Sequence, residues 1–174
     1  MAYAPDETRG ARQKKPDKNE KVKIIFLGGV GEIGKNLTAF EYADEIVVID
    51  AGLTFPTDEM PGIDTVIPDI TYLKENREKV KAVFLTHGHE DHIGAVPYLL
   101  RQVSAPLYGT RLTLALIELK LKEHRAMPNV ALHTIVPGSS EKIGAFDVDF
   151  IKMSHSIAGA VAMAAMVSGI MLPP

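Results

Sequence analysis

The chain has 174 residues, of which 46% are hydrophobic and 24% are charged, and its formal net charge is −3; these values are typical of one globular domain and exclude a disordered chain. It contains no cysteine, which excludes disulfides, thiolate metal sites and cysteine nucleophiles. The small negative charge gives no support to nucleic-acid binding and does not exclude it.

The first 20 residues form a polar segment. They carry five basic and four acidic side chains and two prolines, with almost nothing apolar. Such a segment cannot offset the entropy lost on ordering, so we expect a flexible leader over 1–20 and a folded domain over 21–174. The segment lacks the apolar stretch of a secretory signal, which favours a cytoplasmic protein.

Short runs of β-branched and aromatic residues alternate with helical patterns along the rest of the chain. The runs predict strands at 22–27, 36–42, 45–50, 81–86, 131–136 and 146–153. The helical patterns lie at 70–78, 93–103 and 111–125. In the last of these, Leu112, Leu116 and Leu119 share a face, which predicts a helix packed on a sheet through that face and its neighbours. We therefore expect a layered α/β or α+β domain.

The C-terminal part of the chain changes composition sharply. Residues 155–174 contain no charged side chain, and residues 157–172 are nearly all Ala, Val, Met, Ile and Gly. This run is shorter than the roughly 20 residues that span a bilayer. We predict a buried element there, with an exposed apolar tail as the alternative, and no membrane association.

Three of the six histidines lie within one short segment, His87-Gly88-His89-Glu90-Asp91-His92. The segment directly follows the predicted strand 81–86, and functional sites gather at the carboxyl ends of such strands. Neutral imidazole and ionised carboxylate suit Zn²⁺, Mn²⁺ or Fe²⁺. Burying titratable rings without such a role costs desolvation, and Gly88 would supply backbone freedom to the loop. The segment therefore predicts a metal site.

The pattern H-x-H-x-D-H resembles the signature of the metallo-β-lactamase superfamily, whose fold is an αββα sandwich. The resemblance implies that His87 and His89 ligate a first metal ion and that Asp91 and His92 ligate a second. It also implies catalysis in which the metals lower the pKa of a water molecule that attacks the substrate, with Asp91 counted among the catalytic residues.

Two further motifs are similar to those of the same superfamily. Asp50, at the end of the predicted strand 45–50, resembles an aspartate that supports the metal loop without touching the ions. His155, after the predicted strand 146–153, resembles the histidine that completes the first set of ligands.

Five stretches also resemble the bacterial ribonuclease J family, in the right order and spacing: 27–36, 50–56, 61–69, 84–95 and 154–157. This resemblance covers roughly residues 21–157. It implies a metal-dependent ribonuclease of the β-CASP group that acts as a 5′-to-3′ exonuclease and an endonuclease in RNA processing and decay. It also implies up to two Zn²⁺ ions, with Mn²⁺ or Mg²⁺ as alternatives, RNA as a partner, and homo-oligomers in intact relatives.

The chain departs from that family after His155. The family continues with Pro-Asp and later a Thr-Gly-Asp stretch whose aspartate bridges both metals, whereas here Ala158-Gly159-Ala160 follows and no acidic residue occurs after Asp149. The expectation is an incomplete metallo-β-lactamase domain without the β-CASP and C-terminal domains, whether by divergence, truncation or a shifted frame. With two ligands left for the second ion, we expect one occupied site at most and weak or no hydrolysis.

A competing motif is the G-x-G-x-x-G formed by Gly29, Gly31 and Gly34, which with Asp50 mimics a dinucleotide-binding fingerprint. That interpretation requires a helix after the glycines, whereas residues 36–42 alternate like the second strand of a hairpin. We therefore disfavour it. The same glycine turn is a weaker candidate for contacting substrate phosphate, through backbone N–H groups at Gly29 and Gly31.

The remaining polar residues near the motifs are given lesser roles. Ser154 and Ser156 flank His155 and are candidate hydrogen-bond donors to a substrate phosphate. Glu90 is expected to face solvent or brace the metal loop. His124, at a helix C-terminus, and His133, in a predicted strand, are expected to be structural.

Three classes of function stay open at the level of sequence. The first is a ribonuclease, or a remnant of one. The second is another hydrolase of the same fold, acting on a thioester or a lactam. The third is a non-catalytic partner or fragment.

Overall fold

Two β-sheets and a layer of helices make up the computed structural model, which describes residues 21–125, 130–167 and 170–171. The leader predicted at 1–20 lies outside these residues. The strands are β1 Lys23–Gly28, β2 Leu37–Tyr42, β3 Glu45–Ile49, β4 Val80–Phe84, β5 Leu107–Gly109, β6 Leu132–Thr134, β7 Ser140–Ile143, β8 Phe146–Lys152, β9 Val161–Val167 and β10 Ile170–Met171. The helices are α1 Thr71–Glu75, α2 Glu90–Ile93, α3 Val96–Leu100 and α4 Arg111–Glu123, with a 3₁₀ turn at Arg77–Lys79.

The first sheet has six strands in the order β1-β2-β3-β4-β5-β6. β1, β2 and β3 pair antiparallel, and β3 through β6 pair parallel. The antiparallel β1–β2 pair confirms the predicted hairpin, whose two strands the glycine turn connects. A dinucleotide-binding unit requires a helix after the glycines, and a strand is there instead. β4 is buried along most of its length because both faces of the sheet are covered.

The second sheet has the antiparallel order β10-β9-β8-β7. β8 alternates buried and less buried residues, with Phe146, Val148 and Phe150 facing inward, as expected of a sheet with one covered face. The uncharged C-terminal run forms β9, whose residues Val161 and Val167 are buried. The prediction of a buried element is thus confirmed at β9, while residues 168–169 and 172–174 of that run lie outside the described part of the chain.

The first sheet is the middle layer of three. One face packs on the helices through a core cluster that includes Val48, Leu85 and Ile117, and the other packs on the second sheet through a cluster that includes Phe84 and Phe150. This order of helices, sheet and sheet confirms the predicted layered α/β fold and corresponds to part of an αββα sandwich. No described helix has the length and apolar character needed to cross a membrane.

Helix α4 packs on the sheet as predicted, through the neighbouring part of the apolar stripe and not through its Leu112 and Leu119 edge. Leu112 and Leu119 are 42% and 57% exposed, whereas Leu114, Ile117 and Leu121 are buried with Thr113. The exposed and the buried sets of α4 residues are both apolar in sequence, and the direction in which the helix leaves β5 decides which set meets the sheet. Within the predicted helix at 93–103 the structure has the shorter helix α3, and the helix α2 precedes it, separated from it by Gly94 and Ala95.

A buried carboxylate ties β1 and β2 to the α1 region. Glu41 accepts hydrogen bonds from Lys23 Nζ at 2.6 Å, Lys79 Nζ at 3.1 Å and the Tyr72 hydroxyl. Burial by itself raises the pKa of Glu41, but the hydrogen bonds from Lys23, Tyr72 and Lys79 outweigh it and lower the pKa from 4.5 to about 2.

We expect the Glu41→Gln variant to lose up to about 3 kcal/mol of unfolding free energy at pH 7, since each pKa unit corresponds to about 1.4 kcal/mol. Because the pKa is lower in the folded state, this stabilisation is present above pH 4.5 and is lost as the pH falls from 4.5 towards 2. Urea unfolding at pH 7, 4.5 and 3 measures both effects. Glu59→Gln, at an exposed position, is the matched control, and equal pH profiles for the two variants would contradict the prediction.

Candidate metal centre

The histidine segment lies at the carboxyl end of β4 and runs directly into α2. His89 has extended backbone angles, φ −75° and ψ 151°, and precedes the helix Glu90–Ile93. The predicted start of the helix near residue 93 was therefore wrong by about one helical turn. Glu90 and Asp91 lie in the first turn of α2, where negative charge is favourable and initiates the helix early.

Three imidazoles meet at this edge of the sheet. His87 Nε2 lies 3.0 Å from His89 Nδ1 and 3.1 Å from His155 Nε2. The three candidate ligand atoms all lie within 4.8 Å of one another. His87 is buried, His89 is half-buried and His155 is exposed, so the cluster is anchored in the protein and open to solvent on one side. The second sheet supplies His155 from the segment between β8 and β9, which brings together residues far apart in sequence.

The environment keeps the deepest ring neutral. Burial, followed by the charge interactions with the nearby imidazoles of His92, His155 and His89, lowers the pKa of His87 from 6.5 to about 4. A neutral imidazole has a free nitrogen lone pair at physiological pH. His87 is therefore ready to act as a metal ligand without first losing a proton.

Asp50 lies behind the cluster and is only 4% exposed. Its carboxylate accepts the Thr86 N–H at 2.8 Å and the Thr86 hydroxyl at 2.8 Å, and lies 2.7 Å from His92 Nδ1. Asp50 has a positive φ of 61°, which is a strained conformation for any residue other than glycine. The contacts of its carboxylate maintain this conformation. Burial lowers the pKa of His92, but the hydrogen bond and charge of Asp50 and the charge of Asp91 outweigh it and raise that pKa overall.

Thr86 transmits this support to the triad. Its hydroxyl must donate to Asp50, because a carboxylate only accepts, and its oxygen then accepts from His87 Nδ1–H at 2.9 Å. This hydrogen-bond order sets the tautomer of His87. It leaves the Nε2 lone pair directed at His89 and His155.

Asp91 and His92 form a pair beside the triad. Asp91 Oδ2 lies 3.5 Å from His92 Nε2, and the His92 ring lies 4.0 Å from the His87 ring between centroids. The Asn36 amide nitrogen contacts both, at 3.3 Å from Asp91 Oδ2 and 3.2 Å from His92 Nε2. The structure thus brings His87, His89 and His155 into one cluster and places Asp91 and His92 in a second, adjoining one.

The backbone after β3 holds the metal segment in place. Ala51 N–H donates to the His92 carbonyl at 2.8 Å, and Leu53 N–H donates to the Glu90 carbonyl at 3.0 Å. Between them, Gly52 passes so close that a Cβ there would lie 1.6 Å from the Asp91 carbonyl oxygen. Only glycine permits this approach between two backbones.

Gly88 has a different role from the one predicted. Its φ is not among the positive values of the described residues, so the loop does not need its conformational freedom. A Cβ at Gly88 would instead lie 2.4 Å from Leu116 Cδ1. The small residue allows α4 to pack against the metal segment.

Lys120 of α4 braces the same segment through Glu90. Lys120 Nζ lies 2.8 Å from both carboxylate oxygens of Glu90, and its side chain is 14% exposed. The expected bracing role of Glu90 is thus seen in this ion pair.

The histidines expected to be structural each contact a tyrosine ring outside the cluster. His133 stacks on Tyr108 with ring centroids 4.5 Å apart, and His124 contacts the Tyr98 ring edge-on at 5.3 Å.

Of the four candidates for substrate contact, Ser156 is the one whose side chain reaches the triad. Ser156 Oγ lies 3.4 Å from His89 Nε2, and Ser154 is exposed near by in sequence. Gly31 is exposed in the glycine turn, and Gly29 packs against the Asn36 side chain. Their roles stay predictions.

Three residues of the site were not singled out from the sequence: Asn36, Thr86 and Lys120. Thr86 immediately precedes the histidine segment, so its position was a usable signal. Asn36 and Lys120 lie 55 and 30 residues from their partners Asp91 and Glu90, and no local pattern connects residues at such separations.

Comparison with known proteins agrees with this geometry. Residues 30–159 match the family described as the Metallo-beta-lactamase superfamily. The chain is 49% identical over 152 residues to ribonuclease J of Synechocystis sp., which covers 86% of this chain and 24% of that protein. It is 51% identical over 140 residues to ribonuclease J 2 of Staphylococcus saprophyticus, which covers 80% of this chain and 25% of that protein. The chain thus spans about a quarter of the length of these curated relatives.

Solved structures show the same fold at low sequence identity. A protein of unknown function from Enterococcus faecalis V583 superposes with a TM-score of 0.65 at 18% identity, covering 87% of this chain and 42% of that one. Zinc-bound PqqB from Methylobacterium extorquens superposes with a TM-score of 0.56 at 15% identity, covering 77% of this chain and 50% of that one. Because the family match takes in most of the chain and the fold agrees, the protein belongs to the metallo-beta-lactamase superfamily.

Proposed function

We propose that this protein is a zinc-dependent ribonuclease of the ribonuclease J type, acting on RNA in the cytoplasm. The observation that carries the proposal is the convergence of His87, His89 and His155 at the open edge of a fold that belongs to a hydrolase superfamily. The identity of about half to ribonuclease J proteins favours RNA over other substrates. Homo-oligomerisation, implied by the same resemblance, is part of the proposal.

The donor set fits a zinc ion. Three imidazole nitrogens suit Zn²⁺, which binds three protein ligands in catalytic sites and leaves a further position open. The neutral state of His87 and the hydrogen bond from its Nδ1 to Thr86 are the features expected of a ligand held in one tautomer. When bound, zinc supplies Lewis-acid stabilisation of developing charge and lowers the pKa of water; Mn²⁺ or Mg²⁺ are alternative ions.

The protein's own residues orient the site and admit the substrate. Asp50 and Thr86 hold His87 and His92, and Glu90 with Lys120 holds the start of α2. The exposed side of the cluster carries His155 and Ser156, so a phosphodiester can approach there, with Ser154 and Ser156 as candidate donors to its oxygens.

The second cluster is poorer in ligands. Among the residues that the structure describes, Asp91 and His92 supply two donors there. Two ligands hold a metal weakly. We therefore propose one well-occupied ion for this chain and hydrolysis well below that of a relative with a complete second set.

Metal analysis combined with RNA cleavage tests the proposal. We expect about one zinc ion per chain after dialysis against a slight excess of zinc, together with slow cleavage of a 5′-labelled single-stranded RNA that a chelator abolishes and zinc restores. A chain that binds no zinc would refute the metal site. Turnover of a thioester or lactam substrate without RNA cleavage would instead select another hydrolase of the same fold.

A further inference from the structure

The third imidazole of the triad is carried by an exposed segment of the chain. Residues 153–160 connect β8 to β9, and His155 and most of its neighbours there are exposed. Exposed connections of this kind have more conformational freedom than the strands on either side of them. A defined position for His155 beside the buried His87 therefore needs contacts that hold this segment from outside the triad.

Two backbone hydrogen bonds hold the ends of the segment. Met153 N–H donates to the Ala160 carbonyl at 3.1 Å, which joins the two ends to each other. Val161 N–H donates to the carbonyl of Thr86, the residue before His87, at 3.0 Å. Because both bonds lie at the ends, they restrain the residues between them less.

A side chain at the start of α4 supplies a third anchor. Thr110 Oγ1 lies 2.9 Å from the carbonyl oxygen of Gly159, which follows His155 in the same segment. A carbonyl oxygen only accepts, so the Thr110 hydroxyl is the donor. The approach is close, since a Cβ at Gly159 would lie 2.9 Å from Thr110 Oγ1. One hydroxyl group thus joins the helical layer to the segment that carries the third imidazole.

The Thr110 hydroxyl is itself fixed in place. Thr110 is buried, and its Oγ1 lies 3.1 Å from Oγ1 of the buried Thr113. Because the Thr110 hydrogen is directed at Gly159, the Thr113 hydroxyl is the donor in this second contact. Thr110 is also the N-cap residue of α4, a position where a threonine oxygen usually accepts a backbone N–H of the first turn. It makes no such cap bond here, so its hydroxyl serves the segment and not the helix.

We propose that Thr110 is a positioning residue: its hydroxyl holds the Gly159 carbonyl and thereby keeps His155 directed at the other two histidines of the triad. A ligand that is already in place loses less conformational entropy on binding, so the anchor strengthens metal binding. The inference deepens the proposed function and rests on it for the meaning of zinc binding. The anchoring of the segment stands on the hydrogen bonds described above.

Removal of the hydroxyl at nearly constant shape tests this role. We expect Thr110→Val to bind zinc about 10-fold more weakly than the wild-type chain, the lower end of the loss caused by removing an outer hydrogen-bond partner, because Thr110 holds the backbone and not the ring. Titration calorimetry measures the affinity. Thr110→Ser keeps the donor and should restore most of it. Thr57→Val, at an exposed position, is the matched control.

A double-mutant cycle shows whether Thr110 acts through His155. In the His155→Ala background, Thr110→Val should leave the already weakened zinc affinity unchanged, because no third imidazole is left to position. A general loss of stability would lower the zinc affinity by the same factor in both backgrounds. That result would overturn the proposal.

A second measurement uses protein without zinc. The Met153 and Val161 amides are bonded at the ends of the segment, and their hydrogen exchange should be about 2- to 10-fold faster in Thr110→Val, as expected for the net loss of one hydrogen bond. The amide of Val148, in β8 between β7 and β9, should exchange at the wild-type rate.

The outcomes separate this inference from the proposed function. Zinc affinity and exchange rates in Thr110→Val equal to those in Thr57→Val would overturn the role of Thr110 and leave the ribonuclease proposal intact. A Thr110→Ser variant as weak as Thr110→Val would overturn that role too, since the donor would then not matter. A wild type that binds no zinc, with faster exchange at Met153 and Val161 in Thr110→Val, would sink the proposed function and leave the anchoring of the segment standing.

Discussion

The His87→Ala variant is expected to lose zinc binding at the triad while it keeps its fold. His87 is the shared contact of the cluster, since its Nε2 lies 3.0 Å from His89 Nδ1 and 3.1 Å from His155 Nε2. Without it, two ligands remain on separate segments, one of them exposed. Loss of an outer hydrogen-bond partner already weakens metal affinity roughly 10- to 100-fold, so removal of a ligand should weaken it by more than about 100-fold.

Titration calorimetry with zinc measures this loss, and far-ultraviolet circular dichroism checks the fold. His124→Ala is the matched control because that imidazole contacts Tyr98 outside the site. Equal zinc affinity for the two variants would mean that the triad is not the metal centre.

Substitution of Gly52 by alanine is expected to disrupt both the fold near the site and the metal segment. The new Cβ would lie 1.6 Å from the Asp91 carbonyl oxygen, 2.1 Å from its carbonyl carbon and 2.8 Å from His92 N. All three are backbone atoms, so no rotation of a side chain relieves the clash. Overpacking of this kind costs about 1–3 kcal/mol and more where the surroundings cannot shift, and we expect a loss of about 3 kcal/mol or more.

Urea unfolding measures the loss of stability, and a zinc titration of the same sample measures the loss of the site. Gly62→Ala is a suitable control: its Cβ would meet nothing within 4 Å, and its φ of 80° limits the expected cost to about 1 kcal/mol of backbone strain. A Gly52→Ala variant as stable as Gly62→Ala would show that the two backbones separate without cost.

The sequence pattern was sufficient to predict the strands whose own residues favour a β conformation. β1 to β4 and β8 have runs of β-branched and aromatic residues, and each formed close to its predicted bounds. Shorter or less typical strands were missed. β5 has three residues, β7 is the polar run Ser-Glu-Lys-Ile, and β9 is rich in Ala and Met, so each depends on its neighbours in the sheet for its conformation.

The residues of the site also fall into those that the sequence predicted and those that it did not. Imidazoles and carboxylates are metal-binding groups wherever they occur, so their spacing after a strand was enough to predict the candidate metal ligands His87, His89, Asp91 and His92. The Asn36 amide carries no such signal, because asparagine is common in turns and its partners lie 55 and 56 residues away.

What the sequence by itself determined is the strand order of the first sheet's hairpin, the layered fold class and the identity of the residues with metal-binding chemistry. The tertiary structure alone decided which of them converge. His155 reaches His87 because the second sheet packs on the first, and Asn36 reaches Asp91 because Gly52 lets two backbones approach. Contacts between distant segments depend on how whole layers pack, and local patterns in a chain do not encode that distance.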